Sequence, residues 1–140
     1  MDIIQLSEVF YEKYSSCPEI LKKENRPYLA IILKIESITF AIPFRSHIKH
    51  KYAFWTDKEN GCGLDFTKAV VISSYEEIGK TNVQIRQNEF NVIKKKDYEI
   101  TKKFKTFLTM YKKALYRLDV NRNRILINNS SLQYFLDKIL

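Results

Sequence analysis

Glycine is scarce: the 140 residues contain three, Gly61, Gly63 and Gly79. A phosphate-cradling P-loop needs glycines at fixed spacing ahead of Lys-Ser/Thr, and a dinucleotide site needs G-x-G-x-x-G. Neither string occurs, and Gly61-Cys62-Gly63 reads as a turn. The two cysteines, Cys17 and Cys62, form no C-x-x-C pair, which argues for reduced thiols and against a cysteine protease or redox enzyme. The only histidines, His47 and His50, make an H-x-x-H with Cys62 as the one conceivable third ligand, short of a convincing zinc set. No metal and no cofactor are expected. A G-x-S-x-G elbow is missing, and Ser46 adjoins His47 without an obvious acidic partner, so a serine hydrolase is disfavoured. No helix-turn-helix pattern supports a DNA-binding regulator. No run approaches the roughly 20 apolar residues of a membrane span. Met1-Asp2-Ile3-Ile4-Gln5 lacks the basic segment and long apolar run of a secretory signal, so a soluble cytoplasmic protein with no membrane partner is expected.

What is present is positive charge and aromatic bulk. Lys and Arg number 24 against 16 Asp and Glu, a net charge of +8 with a pI near 9.4. On one small domain this points to a polyanion such as nucleic acid, or else to plain solubility. Nine Tyr, nine Phe and one Trp, within a 45% hydrophobic composition, allow a compact core and argue against disorder.

Ser7-Glu8 signals a helix start, with Val9, Phe10 and Tyr14 along one side, and Ile3-Ile4-Gln5-Leu6 before it can be a strand. Lys22–Pro27 reads as a polar loop. The β-branched run Tyr28–Glu36 predicts a buried strand, Ser37 a turn, and Ile38–Phe44 a return strand that Pro43 must end, bulge or leave at an edge. Tyr52–Trp55 and Lys68–Ile72 are further strand candidates around the turn-rich Asp57–Gly61. From Tyr98 the period changes: Ile100, Phe104, Phe107, Leu108, Tyr111, Leu115 and Leu118 form a helical stripe. Asn121–Arg124 closes that helix or its loop, and Ser130-Ser131 caps a terminal helix with Leu132, Phe135, Leu136 and Ile139 inward. Strands in front and helices behind make an α+β fold, in one domain over residues 1–140.

The segment Arg45-Ser46-His47-Ile48-Lys49-His50-Lys51 holds both histidines and follows the strand containing Pro43. If it stays extended, Arg45, His47, Lys49 and Lys51 project to one side. Metal-free RNA cleavage needs a base for the 2′-OH, an acid for the departing 5′-oxygen and a cation for the phosphorane. His47 suits base or acid, Arg45 a two-donor grip on phosphate, Lys49 charge or acid, and Ser46 orientation by hydrogen bonds. The competing reading is a solvated basic loop. Nearby, Tyr28, Tyr52 and Trp55 are candidate stacking platforms for single-stranded bases, with His50 and Lys51 as added RNA contacts; Phe54 reads as core, and Trp55 as either. Lys102, Lys105, Lys112 and Lys113 on the basic helix are a solvated face, a groove for RNA phosphates or, least favoured, a membrane-surface face.

Three strings, Arg26-Pro27-Tyr28-Leu29-Ala30-Ile31-Ile32-Leu33, Phe40-Ala41-Ile42-Pro43-Phe44-Arg45-Ser46-His47 and Gly63-Leu64-Asp65-Phe66-Thr67-Lys68-Ala69-Val70-Val71-Ile72, carry a resemblance. In this order the chain resembles the type III toxin–antitoxin endoribonucleases (ToxN, AbiQ, TenpN, CptN), the CptN branch nearest, from about Ile3 to Leu118. The resemblance implies a twisted antiparallel, partly barrel-like sheet flanked by helices, as in the Kid and MazF toxins. It implies metal-independent cleavage at A-rich sites leaving a 2′,3′-cyclic phosphate. Its partners would be cellular mRNA and a small pseudoknotted antitoxin RNA, processed by the toxin and held in a closed protein–RNA hetero-oligomer. Ser46 matches the family's active-site serine and Lys49 the lysine that follows it. The departures are one extra residue between them, Arg45 in place of threonine and His47 in place of proline. The competing function is a non-catalytic RNA-binding protein using the same basic face.

Overall fold

The computed structural model describes residues 2–22, 28–81 and 87–140. Most of the expected polar loop, residues 23–27, lies outside the described residues. Among the described residues seven strands form one antiparallel sheet that is not closed into a barrel: Ile3–Leu6 (β1), Leu29–Ile35 (β2), Ile38–Arg45 (β3), Ala53–Asp57 (β4), Cys62–Asp65 (β5), Val70–Ile72 (β6) and Ile78–Thr81 (β7). The order is β4-β5-β3-β2-β1-β7, with β6 also on β3. The helices are Glu8–Lys13 (α1), Gln87–Ile93 (α2), Asp97–Leu115 (α3), Asn121–Asn129 (α4) and Leu136–Ile139 (α5). This is the α+β class expected.

The β2–β3 hairpin is the spine of the sheet. Ile35 pairs with Ile38 across a two-residue turn in which Glu36 takes φ 56. Pro43 does not end β3. The outer edge of β3 pairs with β6 through Ala41 and with β5 from Phe44, so the proline falls where one partner gives way to the next.

Cross-strand partners share a sheet face, and the two faces differ in bulk. Ile31, Leu33, Phe40, Ile42, Leu64 and Phe54 lie on one, beneath α3, where Phe104 packs edge-on against Phe40 and Phe66. Ala30, Ala41, Pro43, Arg45 and Gly63 lie on the other. The buried side chains form one contiguous cluster that draws on the sheet and all five helices.

Several expectations are corrected. Val9 is 48% exposed, and Tyr11 joins Phe10 inside instead. α3 stops at Leu115, leaving Leu118 43% exposed beyond it. Asn121–Arg124 opens α4 rather than closing a helix. Ser7 does cap α1 by accepting from the Phe10 N–H, and Ser130 caps the final turn by accepting from the Leu132 N–H.

Gly63 stands between Arg45 on β3 and Trp55 on β4. A Cβ there would lie 2.3 Å from the Phe54 carbonyl oxygen and 3.0 Å from the Trp55 Cα, both backbone atoms. Gly63→Ala is therefore expected to lower stability by about 2 kcal/mol or more, since the strands must part to admit the methyl. A thermal melt checks it; an unchanged melting temperature contradicts the tight β4–β5 approach.

Candidate functional site

β3 and β4 both run antiparallel to β5, which lies between them, so they are parallel to each other. The connection 46–52 must cross β5 from one side to the other. The Ile48 N–H donates to the Gly61 carbonyl at 3.0 Å, and the Ile48 side chain is buried. Gly61, at φ 66, caps the preceding turn; a Cβ there would meet Ile48 N at 3.1 Å. At its far end the crossing is tied by the Phe66 N–H on the Tyr52 carbonyl, 3.0 Å.

Beneath the crossing lies Asp65, with no solvent exposure. Its Oδ2 accepts from Arg45 Nη1 at 2.8 Å. Its Oδ1 accepts from the Thr67 N–H at 3.0 Å and the Thr67 hydroxyl at 2.7 Å, and lies 3.1 Å from His50 Nε2. The Tyr52 N–H donates to His50 Nδ1 at 3.0 Å. A backbone N–H only donates, so Nδ1 is unprotonated, and Nε2–H points to Asp65, with Thr67 Oγ1 3.3 Å away. Burial pushes the Asp65 carboxyl up. The hydrogen bonds from His50, Thr67 and Arg45 outweigh it and hold the group below its ordinary value. The following turn, Phe66–Lys68, is fixed from behind: Ser130 and Ser131 hydroxyls donate to the Thr67 carbonyl.

Lys68 extends the cluster. Its amine donates to the Glu19 carbonyl at 3.1 Å and the Asn129 carbonyl at 2.9 Å. Burial lowers its pKa, and the charge of Arg45 lowers it further. Lys68 also lines a small, mostly apolar cleft with Tyr11, Tyr28 and Pro43.

The expected site residues separate into groups. Arg45 and His50 converge on Asp65, and Tyr28 lines the cleft. The extended projection of Arg45, His47, Lys49 and Lys51 to one side does not occur: β3 ends at Arg45, and His47 turns the chain with φ 58. Ser46, His47 and Lys49 are exposed on the crossing, and among the described residues their side chains make no hydrogen bond or ion pair. His50 has both ring nitrogens engaged inward, which leaves them on the protein rather than on a phosphate. Tyr52 is half-buried, its ring 5.8 Å from Phe107 and 5.7 Å from His50, with the Lys51 ammonium 5.6 Å from its centroid. Trp55 is half-exposed on the sheet face of Arg45, across Gly63. Lys102, Lys105, Lys112 and Lys113 lie on the side of α3 turned from the sheet, away from this cluster.

His47, His50 and Cys62 do not assemble; among the described residues no group of three His, Cys, Asp or Glu is placed to hold a metal ion. Among them, too, no helix is long and apolar enough to cross a membrane. The roles of Asp65, Thr67 and Lys68 escape a reading of the sequence. The one local signal is Asp-x-Thr, the pattern of a side chain accepting from the backbone two residues on.

Because the folded-state pKa of Asp65 is depressed, its contribution to stability is present above the ordinary value of 3.8 and is lost as pH falls through the folded value. Asp65→Asn is expected to cost about 3 kcal/mol at neutral pH by leaving Arg45 without its carboxylate. The gap to the parent should narrow below about pH 4, read by urea melts at several pH values; a gap independent of pH contradicts the ionised cluster. No family model, curated protein or solved structure matches this chain.

Proposed function

We propose that this protein is a metal-independent endoribonuclease that cuts A-rich single-stranded RNA, and that it acts in the cytoplasm as the toxin of a type III toxin–antitoxin system. Its partner is then a small repeat-derived antitoxin RNA that it processes and that inhibits it in a closed protein–RNA assembly. The sequence resemblance supplies the substrate class and partner. The observation that carries the chemistry is His47: an exposed imidazole held at a left-handed φ of 58, between Arg45, tied to a buried carboxylate, and Ile48, plugged into the core. Glu36 and Lys95 also take a positive φ, so what sets His47 apart is its exposed imidazole on a loop pinned on both sides.

In this reading a base on the crossing removes the proton of the 2′-OH. The freed O2′ attacks phosphorus, the bond from phosphorus to the 5′-oxygen breaks, and an acid protonates that oxygen. The products are a 2′,3′-cyclic phosphate and a 5′-OH. His47 and Lys49 divide the acid and base roles, Arg45 steadies the charge on phosphorus with donors other than Nη1, and Ser46 orients the scissile group. That their side chains stand apart without substrate is compatible with this chemistry, because catalytic hydrogen bonds often tighten only in the loaded site.

The second reading, an RNA-binding protein without catalysis, is favoured by the same separation: among the described residues no acid–base pair is preassembled on the loop. Incubation with A-rich RNA in EDTA distinguishes the two. Fragments ending in cyclic phosphate, lost in Ser46→Ala and in His47→Asn, are expected. Asparagine tolerates the left-handed backbone, so loss in His47→Asn reports the imidazole rather than the loop. RNA that stays intact while binding tightly overturns the nuclease in favour of the binding module.

A further inference from the structure

The positive charge of this chain is concentrated in its helical half. Residues 100–136 carry eight Lys and Arg against one carboxylate, Asp119, which is +7 of the +8 on the whole molecule. The sheet, with the crossing loop and cleft, is close to neutral. On α3, at about 100° per residue, Lys102, Lys105, Lys112 and Lys113 fall on the side away from the buried stripe of Ile100, Phe104 and Tyr111. Tyr98 and Tyr116, 77% and 79% exposed, lie on the same face, about 27 Å apart along the helix axis.

Among the described residues no side chain bonds to the ammonium groups of these four lysines. Among the described residues they form no ion pair, whereas Arg117 is doubly bonded to Asp119, and Arg124 donates to the Leu118 carbonyl and Asn121. Thr106 and Thr109 bond helix carbonyls, so lysines are the donors this face offers outward. The helix dipole favours Lys112 and Lys113, which stand in the last turn, but gives no reason for Lys102 and Lys105 in the first half. Those two repel each other at a spacing of three residues. A cationic face kept at some cost to the helix fits an anionic partner.

We propose that this outer face of α3 docks the phosphate backbone of RNA, as a surface distinct from the Arg45–Lys49 loop, with Tyr98 and Tyr116 supplying ring contacts at its two ends. Charge complementarity chooses the partner class. A membrane-surface helix needs exposed apolar side chains beside its lysines, and the apolar stripe of α3 is buried in the core. The proposal rests on RNA being the ligand of this protein and not on cleavage.

The test is fluorescence anisotropy of a labelled RNA stem-loop in EDTA across a KCl titration. It compares the parent with Lys102→Ala/Lys105→Ala/Lys112→Ala/Lys113→Ala, and alanine preserves the helix. Each phosphate that is no longer neutralised lowers the slope of log affinity against log salt by about 0.7–0.9, so a drop of about 3 is expected. Tyr98→Ala/Tyr116→Ala should weaken binding with the slope unchanged, as loss of stacking rather than of charge. An unaltered slope in the fourfold variant, with an unaltered thermal melt, overturns the proposal. So does loss of binding to phosphatidylserine-containing vesicles while RNA binding stays intact. A reduced slope here together with A-rich single-stranded RNA left uncut in the cleavage assay leaves this surface standing and removes the nuclease, whereas an unchanged slope together with A-rich RNA that is cut does the reverse.

Discussion

The region around the crossing depends on one buried charge. A carboxylate without solvent exposure is tolerated only when its oxygens are satisfied, and Asp65 is satisfied from three separate pieces of chain: the end of β3, the crossing loop, and the turn after β5. Removing any one strands the others. Buried ion pairs contribute little net stability once desolvation is counted, yet they are strict about geometry, because a misplaced partner leaves a bare charge. The local consequence is register. Arg45 cannot slide along β3, His50 cannot rotate outward, and the backbone between them has only 46–49 in which to turn. The left-handed φ of His47 follows from that confinement.

Much of this architecture is legible from residue patterns because it is driven by burial. The β2–β3 hairpin and α3 have long apolar runs at periods of two and of three to four, and burial enforces both. The elements that escape notice have weak patterns for physical reasons. β5 is Cys62-Gly63-Leu64-Asp65, where glycine is needed for a close strand approach and so imitates a turn. β7, Ile78–Thr81, has one aliphatic side chain because it is an edge strand whose other residues face water. α4 begins at Asn121 with no side-chain cap, so its first turn reads as a loop.

The site divides in the same way. Its chemistry-bearing residue types are visible in the heptapeptide from Arg45 to Lys51, but their directions are not. Alternation along an extended chain is the natural expectation, and it fails because β5 stands between β3 and β4, so the chain must bend to cross it. That bend buries Ile48, turns His50 under the loop and leaves Ser46, His47 and Lys49 outside. Strand order is a long-range property, and no local pattern announces it. Asp65 escapes for a related reason: the turn it makes with Thr67 is local, but its bonds to Arg45 and His50 span 20 and 15 residues.

The two cationic regions of the molecule obey opposite rules. Around Asp65, cations are gathered by a buried anion, so their positions are fixed and their field is largely spent inside the protein; such a site orients a group but attracts little from a distance. Along α3 the carboxylates Asp97 and Glu99 stand in the first turn, while Lys102, Lys105, Lys112 and Lys113 form no ion pair among the described residues, and their field extends into solvent over about a Debye length, some 8–10 Å at physiological salt. Capture of a polyanion is best served by the second arrangement, and alignment of a single phosphate by the first. The buried carboxylate fixes the crossing loop whether the protein binds RNA or cuts it. A protein that had only to position a phosphate would gain nothing from unpaired lysines on the outer face of a helix. The proposed order of events, an RNA held first and a single linkage acted on second, would draw on both arrangements within one chain of 140 residues.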